Sequence, residues 1–221
     1  MKNFRRAPAT AAILAVITIV FLYELNAGAT ENNGMLFQIG AITPWSYIVE
    51  HGDYRRLLTG MFLHANLLHW ATNSWSLYQL GTLYEAMFGS KRFLLTYFVT
   101  GLCASLASSL ARQDGISVGA SGAVLGILGA FIFSIRRSPR FRHEPWTRGL
   151  IAQLVFWGLL NVALGFRIEQ IDNVAHIAGI ASGLLLGFIL PHRVPPPPPS
   201  QGVINVQPYD EALDPRPQDQ P

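Results

Sequence analysis

Three short stretches of this sequence carry residue types that can attack and cleave an acyl bond. Ser121 stands in Gly119-Ala120-Ser121-Gly122, His176 follows Asn173-Val174-Ala175, and His69 precedes Asn73 by one helical turn. A serine hydroxyl is a weak nucleophile until a neighbouring base takes its proton, and an imidazole, which titrates near neutrality, suits that work. His176 is the candidate base. Glycines on both sides of Ser121 permit close backbone approach and a nonhelical entry into a following helix, whose first N–H groups have no intrahelical partner. Those donors, with side-chain donors from His69 and Asn73, are the components of an oxyanion hole. His69 and Asn73, at i and i+4, share one helix face.

Each of these residues also has a purely structural reading. Gly122, Gly126 and Gly129 beside Ser121 fit close helix packing, as do Gly179 and Gly183, four positions apart. Asn73 can bond across helices, and His51, His64 and His192 suit positions near helix ends. Rival chemistries lack their parts. No His-Glu-x-x-His motif, no pair of carboxylates in the apolar runs and no glycine-rich phosphate loop is present. His64 and His69 project about 140° apart on a helix, and no carboxylate or thiolate joins them, so neither a metal nor a cofactor is expected.

The elements that must position these groups are membrane helices. Of 221 residues, 50% are hydrophobic and 13% charged, about half the charge of a soluble domain. That content excludes disorder over most of the length, and the single cysteine, Cys103, excludes an intramolecular disulfide. The net charge of +3 falls in short basic clusters between apolar runs, not on one face, so no nucleic-acid partner is expected.

Runs free of Asp, Glu, Lys and Arg predict spans at about 10–25, 61–84, 93–111, 116–135, 149–166 and 173–191. The fold class is therefore all-α, a polytopic six-helix bundle embedded in the lipid bilayer. Residues 1–9 form a short N-terminus, 26–58 an external loop whose Met35–Tyr54 stretch is apolar and aromatic, and 192–221 a disordered proline-rich tail. Ala27-Gly28-Ala29 resembles a signal-peptidase site, but the charge balance favours a retained first span. All but four of the 16 Lys and Arg, the exceptions being Arg55, Arg56, Arg112 and Arg167, fall on the side of the two termini, which the positive-inside rule makes cytoplasmic. The second, fourth and sixth spans then run inward, and bring His64, His69, Asn73, Ser121 and His176 to a common depth in the outer half of the bilayer.

At this point the residues resemble the rhomboid family of intramembrane serine proteases. The run from Arg56 through His64, His69 and Asn73 is similar to the family's second-helix signature, Gly119-Ala120-Ser121-Gly122 to its nucleophile motif, and Ala175-His176-Ile177-Ala178-Gly179 to its Ala-His-x-x-Gly motif. The resemblance covers roughly residues 50–191. It implies Ser121 as nucleophile and His176 as general base, with His69, Asn73 and the N–H groups of Ser121 and Ala120 holding the oxyanion, and no carboxylate as third member. Gly119, Gly122, His64, Arg56, Gly179 and Gly183 become site-supporting residues. Arg56 matches the arginine of a Trp-Arg pair, but Arg55 and Tyr54 precede it, so the aromatic anchor is displaced or lost. Leu125 stands where some relatives place an aromatic ring against the catalytic histidine.

The resemblance further implies a minimal, bacterial-type protein of the cytoplasmic membrane, with its site opening to the external side. Its substrates would be single-span membrane proteins with small or helix-breaking residues near the outer surface. It says nothing of oligomeric state. Two alternatives stand beside it: a noncatalytic rhomboid-like protein that binds membrane helices, and an unrelated transporter using buried histidines.

Overall fold

The computed structural model describes residues 7–190. The chain runs through α1 (Pro8–Asn26), a 3-10 turn (Ala29–Glu31), α2 (Asn33–Ile39), α3 (Trp45–His51), α4 (Arg56–Thr59), α5 (Leu67–Phe88), α6 (Ser90–Ala111), α7 (Ser121–Arg137), α8 (Thr147–Gly165) and α9 (Asn173–Ile189). Among the described residues the sole extended pairing is an antiparallel bridge between Ile42 and Ser117. The expectations for residues 1–6 and 191–221, the proline-rich tail included, lie outside the described residues.

The bundle is organised around α7, whose residues from Gly122 to Phe131 are all buried. It packs on α5, α6, α8 and above all α9. Small residues make that closeness possible. A Cβ added to Gly187 would sit 2.5 Å from the carbonyl oxygen of Ala130, and one added to Gly183 would lie 3.0 Å from the amide of that residue. Here α7 and α9 meet main chain to main chain, the small-residue contact that membrane helices use where no hydrophobic effect drives them together. The apolar core otherwise comprises Ile13 and Ile17 of α1, Leu77, Tyr84 and Phe88 of α5, Phe93 and Tyr97 of α6, and Leu125 to Phe131 of α7.

Large apolar side chains point outward as well as inward. Ile19 and Leu22 of α1, Leu68 and Trp75 of α5, and Phe156, Leu159 and Leu164 of α8 are exposed on the outer surface. An apolar exterior of this extent is unstable in water and suits hydrocarbon. By length and composition α1, α6 and α8 are long and apolar enough to cross a membrane, and α9 is a shorter apolar helix.

Some polar groups inside are fully paired, whereas others, such as both ring nitrogens of His64 and the Tyr97 hydroxyl, meet no partner among the described residues. Glu85 near the end of α5 is 2% exposed and accepts the N–H groups of Ala9 (2.9 Å) and Thr10 (2.7 Å) and the hydroxyls of Thr10 (2.7 Å) and Ser90 (2.6 Å). It therefore supplies the first turn of α1, whose N–H groups have no partner within the helix, with a carboxyl acceptor at the positive end of the helix dipole.

Two helices start later than the charge-free runs predict. The second long helix begins at Leu67, not Met61, because Asn66 caps it through its side chain, accepting the His69 N–H at 2.9 Å. Residues 61–64 are free of charge but form an irregular segment packed inside, with Met61, Leu63 and His64 buried. The fourth begins at Ser121 itself, because residues 116–119 are nonhelical and stitched to the loop. Ile42 and Ser117 exchange N–H···O bonds, each 2.9 Å, and the Gly119 N–H donates to the Gly60 carbonyl at 2.9 Å.

Candidate active site

Ser121 is the first residue of α7 and His176 lies in the first turn of α9, where the two helices are pressed together. The Ser121 hydroxyl and His176 Nε2 are 2.9 Å apart. The imidazole is buried, and its other nitrogen, Nδ1, meets no hydrogen-bond partner among the described residues. Serine and histidine thus form a pair, without a carboxylate behind the ring.

The entry to Ser121 is shaped by Gly119, at φ 128°. That conformation is disfavoured for any residue with a Cβ. Space also requires glycine: a Cβ here would lie 2.7 Å from His69 Nε2. The missing side chain lets the His69 ring come against the backbone that leads to Ser121. Ala120, fully buried, precedes Ser121 in helical conformation. The N–H groups of the first turn of α7 have no intrahelical acceptor. Asn73, one turn along from His69, donates from its side-chain nitrogen to the His69 carbonyl at 3.0 Å, a bond within its own helix that leaves its second amide hydrogen available.

His64 is fully buried, not placed at a helix end facing headgroups. Its ring meets that of His69 edge to face, centroids 5.1 Å apart. Its main-chain N–H donates to Glu24 Oε1 at 2.9 Å, so a carboxylate from α1 holds the segment that carries it. Phe21, one turn earlier in α1, stacks on Trp70 with centroids 5.2 Å apart.

Arg56 is not part of the Ser121–His176 pair and organises the loop between α1 and α5. Its guanidinium donates to the carbonyls of Phe37 (2.7 Å) and Ala41 (2.9 Å) and to Asp53 (2.7 Å), and lies over the rings of Phe37 and Tyr47. With Arg55 directly before it, Arg56 takes its aromatic partners from α2 and α3. Since Ala41 adjoins Ile42, whose bridge holds Ser117, the loop reaches the segment leading to Ser121 through one continuous set of bonds.

Gly122 and Gly179 sit at the helix contact beside the dyad. A Cβ on Gly179 would fall onto the Gly122 carbonyl, 3.0 Å from its carbon and well inside contact with its oxygen. Gly183 makes the same contact with Gly126 one turn on.

Asp172 escaped the sequence reading because it sits just outside the last charge-free run. It caps α9, accepting the Ala175 N–H on Oδ1 at 3.0 Å. Burial disfavours its charge, but bonds from Ser108, Ala175 and Ser117 and the nearby Arg112 outweigh that cost and hold the carboxyl below the usual aspartate range. An aspartate directly before an apolar run is an N-cap signature, and that signal was available.

The sequence model of the Rhomboid domain family matches residues 51–193. This chain belongs to the rhomboid family. The family includes serine-type intramembrane proteases, and the chain is an integral membrane protein. It is similar to the Rhomboid protease GluP of Bacillus subtilis (strain 168), 35% identical over 174 residues, which is 79% of this rhomboid and 33% of the relative. RHOMBOID-like protein 7 of Arabidopsis thaliana is 36% identical over 76% of this chain and 52% of its own length. The Putative rhomboid protease YdcA of Bacillus subtilis (strain 168) is 27% identical over 84% of this rhomboid and 89% of the relative. Against GluP and RHOMBOID-like protein 7, this chain spans between a third and about half of the relative.

Proposed function

We propose that this rhomboid is a serine endopeptidase that hydrolyses a peptide bond in or near the transmembrane segment of single-span membrane proteins, with Ser121 and His176 as its catalytic dyad. The observation that carries this reading is the 2.9 Å approach of Ser121 Oγ to His176 Nε2 across the α7–α9 contact.

In the first step Ser121 Oγ attacks the scissile carbonyl carbon while its proton passes to His176 Nε2. Negative charge gathers on the carbonyl oxygen, facing the N–H groups of Ala120 and Ser121 and the side chains of His69 and Asn73. Collapse of the tetrahedral intermediate breaks the C–N bond, and the imidazolium returns its proton to the leaving amine. Water then attacks the acyl-enzyme, His176 again takes a proton, and Ser121 is released with the new carboxylic acid. Because the scissile carbonyl of an intact helix is hydrogen-bonded, substrates with small or helix-breaking residues near the outer surface are favoured.

The six long helices all cross the bilayer, with both termini cytoplasmic and the dyad nearer the external face. The basic residues of the α7–α8 connection and the Lys91-Arg92 turn support that orientation.

Cleavage of a model single-span substrate in liposomes tests the reading, with wild type, Ser121→Ala and His176→Ala compared at equal folded amounts. Only the wild type should cut. Cleavage by Ser121→Ala at the wild-type rate would remove the nucleophile assignment, and a wild type that binds such helices without cutting them would mark a noncatalytic binding protein.

A further inference from the structure

The two oxygens of the Asp172 carboxylate do different things. Oδ1 caps α9 by accepting the Ala175 N–H at 3.0 Å. Oδ2 accepts three donors from elsewhere: the Ser117 hydroxyl at 2.7 Å, Arg112 Nη2 at 2.9 Å and the Ser108 hydroxyl. A helix cap needs only the first of these. The other three tie α9 to the last turn of α6 and to the extended segment that leads to the nucleophile.

Ser117 lies four positions before Ser121, and Asp172 four before His176, whose N–H donates to the Asp172 carbonyl at 3.1 Å. One carboxylate oxygen therefore joins the segment carrying the nucleophile to the helix turn carrying the base. We infer that Asp172 is a positioning residue for the dyad, strapping the Ser117–Ser121 entry to the first turn of α9 so that Ser121 Oγ and His176 Nε2 stay within hydrogen-bond reach. This rests on the protease reading above.

Neither Asp172 nor Ser117 touches the reacting atoms; each acts through the backbone it holds. The asymmetry between the two oxygens provides a clean variant. Asp172→Asn retains an Oδ1 acceptor for the cap, and Asn is as good an N-cap as Asp. It replaces Oδ2 by an amide that donates and cannot accept from Ser117, Ser108 or Arg112.

The test uses the full chain in liposomes, with kcat and KM for a single-span substrate expressed per folded molecule, alongside the rate at which a fluorophosphonate labels Ser121. Asp172→Asn should fold with its helix content intact, lose about ten- to a hundredfold in kcat and in labelling rate, and leave KM unchanged. Ser117→Ala, which keeps the carboxylate and the cap, should lose kcat in the same way, and the double variant should be no worse than Asp172→Asn alone. If Asp172→Asn fails to fold, Ser117→Ala decides. An active wild type with either folded variant within twofold of its kcat and labelling rate overturns the strap alone, as does a double variant showing fully additive losses. A wild type that neither cleaves nor labels overturns the protease reading and the strap together.

Discussion

Replacing Gly179 with alanine places one methyl group where α9 meets α7 beside the dyad. That carbon would lie 3.0 Å from the carbonyl carbon of Gly122 and 3.3 Å from its Cα, with the carbonyl oxygen nearer still. Main chain on both sides cannot rotate away, and an ordinary contact needs about 3.5 Å, so the helices must part by about 1 Å. Gly122 adjoins Ser121 and Gly179 lies one turn after His176, so the displacement reaches the dyad almost undiminished. The 2.9 Å approach would lengthen toward about 3.9 Å, beyond hydrogen-bond range. A misplacement of this size costs about a hundredfold in turnover, and the overpacking itself about 1–3 kcal/mol of stability.

Gly187→Ala is the matching control. Its Cβ meets the Ala130 carbonyl oxygen at 2.5 Å, a comparable clash about 12 Å further along the same helix. Initial cleavage rates in liposomes, normalised to folded protein, and thermal unfolding in detergent should show both variants destabilised but only Gly179→Ala crippled in kcat. If Gly179→Ala cleaves within threefold of wild type, or Gly187→Ala loses turnover equally, the idea that main-chain contact fixes the dyad distance is wrong.

Two further outcomes follow from carboxylates that hold the main chain. Glu24→Ala leaves the buried His64 N–H without its acceptor and should cost about 1–3 kcal/mol, whereas Glu24→Gln keeps an acceptor and should cost clearly less; chemical denaturation of the two side by side decides, and equal losses would refute the bond's role. Asp172 is held below the usual aspartate range, so its contribution is fully present above the unfolded value of about 3.9 and is lost as pH falls through the lower folded value. The melting-temperature gap between wild type and Asp172→Asn should therefore be constant from pH 7 down to about 4 and close below that, and a gap that persists after full protonation would contradict it.

The approach of Ser121 to His176 was foreshadowed because both sit in motifs whose glycines and spacing point to chemistry, and the apolar runs foretold the long helices that carry them. Freedom from charge proved a poorer guide to where a helix begins. Met61 to His64 and Ile116 to Ala120 belong to apolar runs, yet both are nonhelical segments that find their hydrogen bonds or packing elsewhere in the fold, a tertiary outcome with no local signature. The setting of Arg56 was hidden for a related reason. Its ring partners, Phe37 and Tyr47, are brought to it by the folding of a long loop, not by adjacency. Glu24 was visible only as a charge near the end of a span, and its role depends on the main chain of a residue 40 positions away.

The seam between α7 and α9 also bears on which changes this protein can absorb. Side chains possess rotamers and can settle around a new neighbour, whereas two backbones in contact have no such slack. The outward faces of α1, α5 and α8 touch nothing that must keep its shape, and any apolar residue serves there. Substitutions can therefore accumulate over most of the exterior, while a single carbon added to a seam glycine must move one helix against the other.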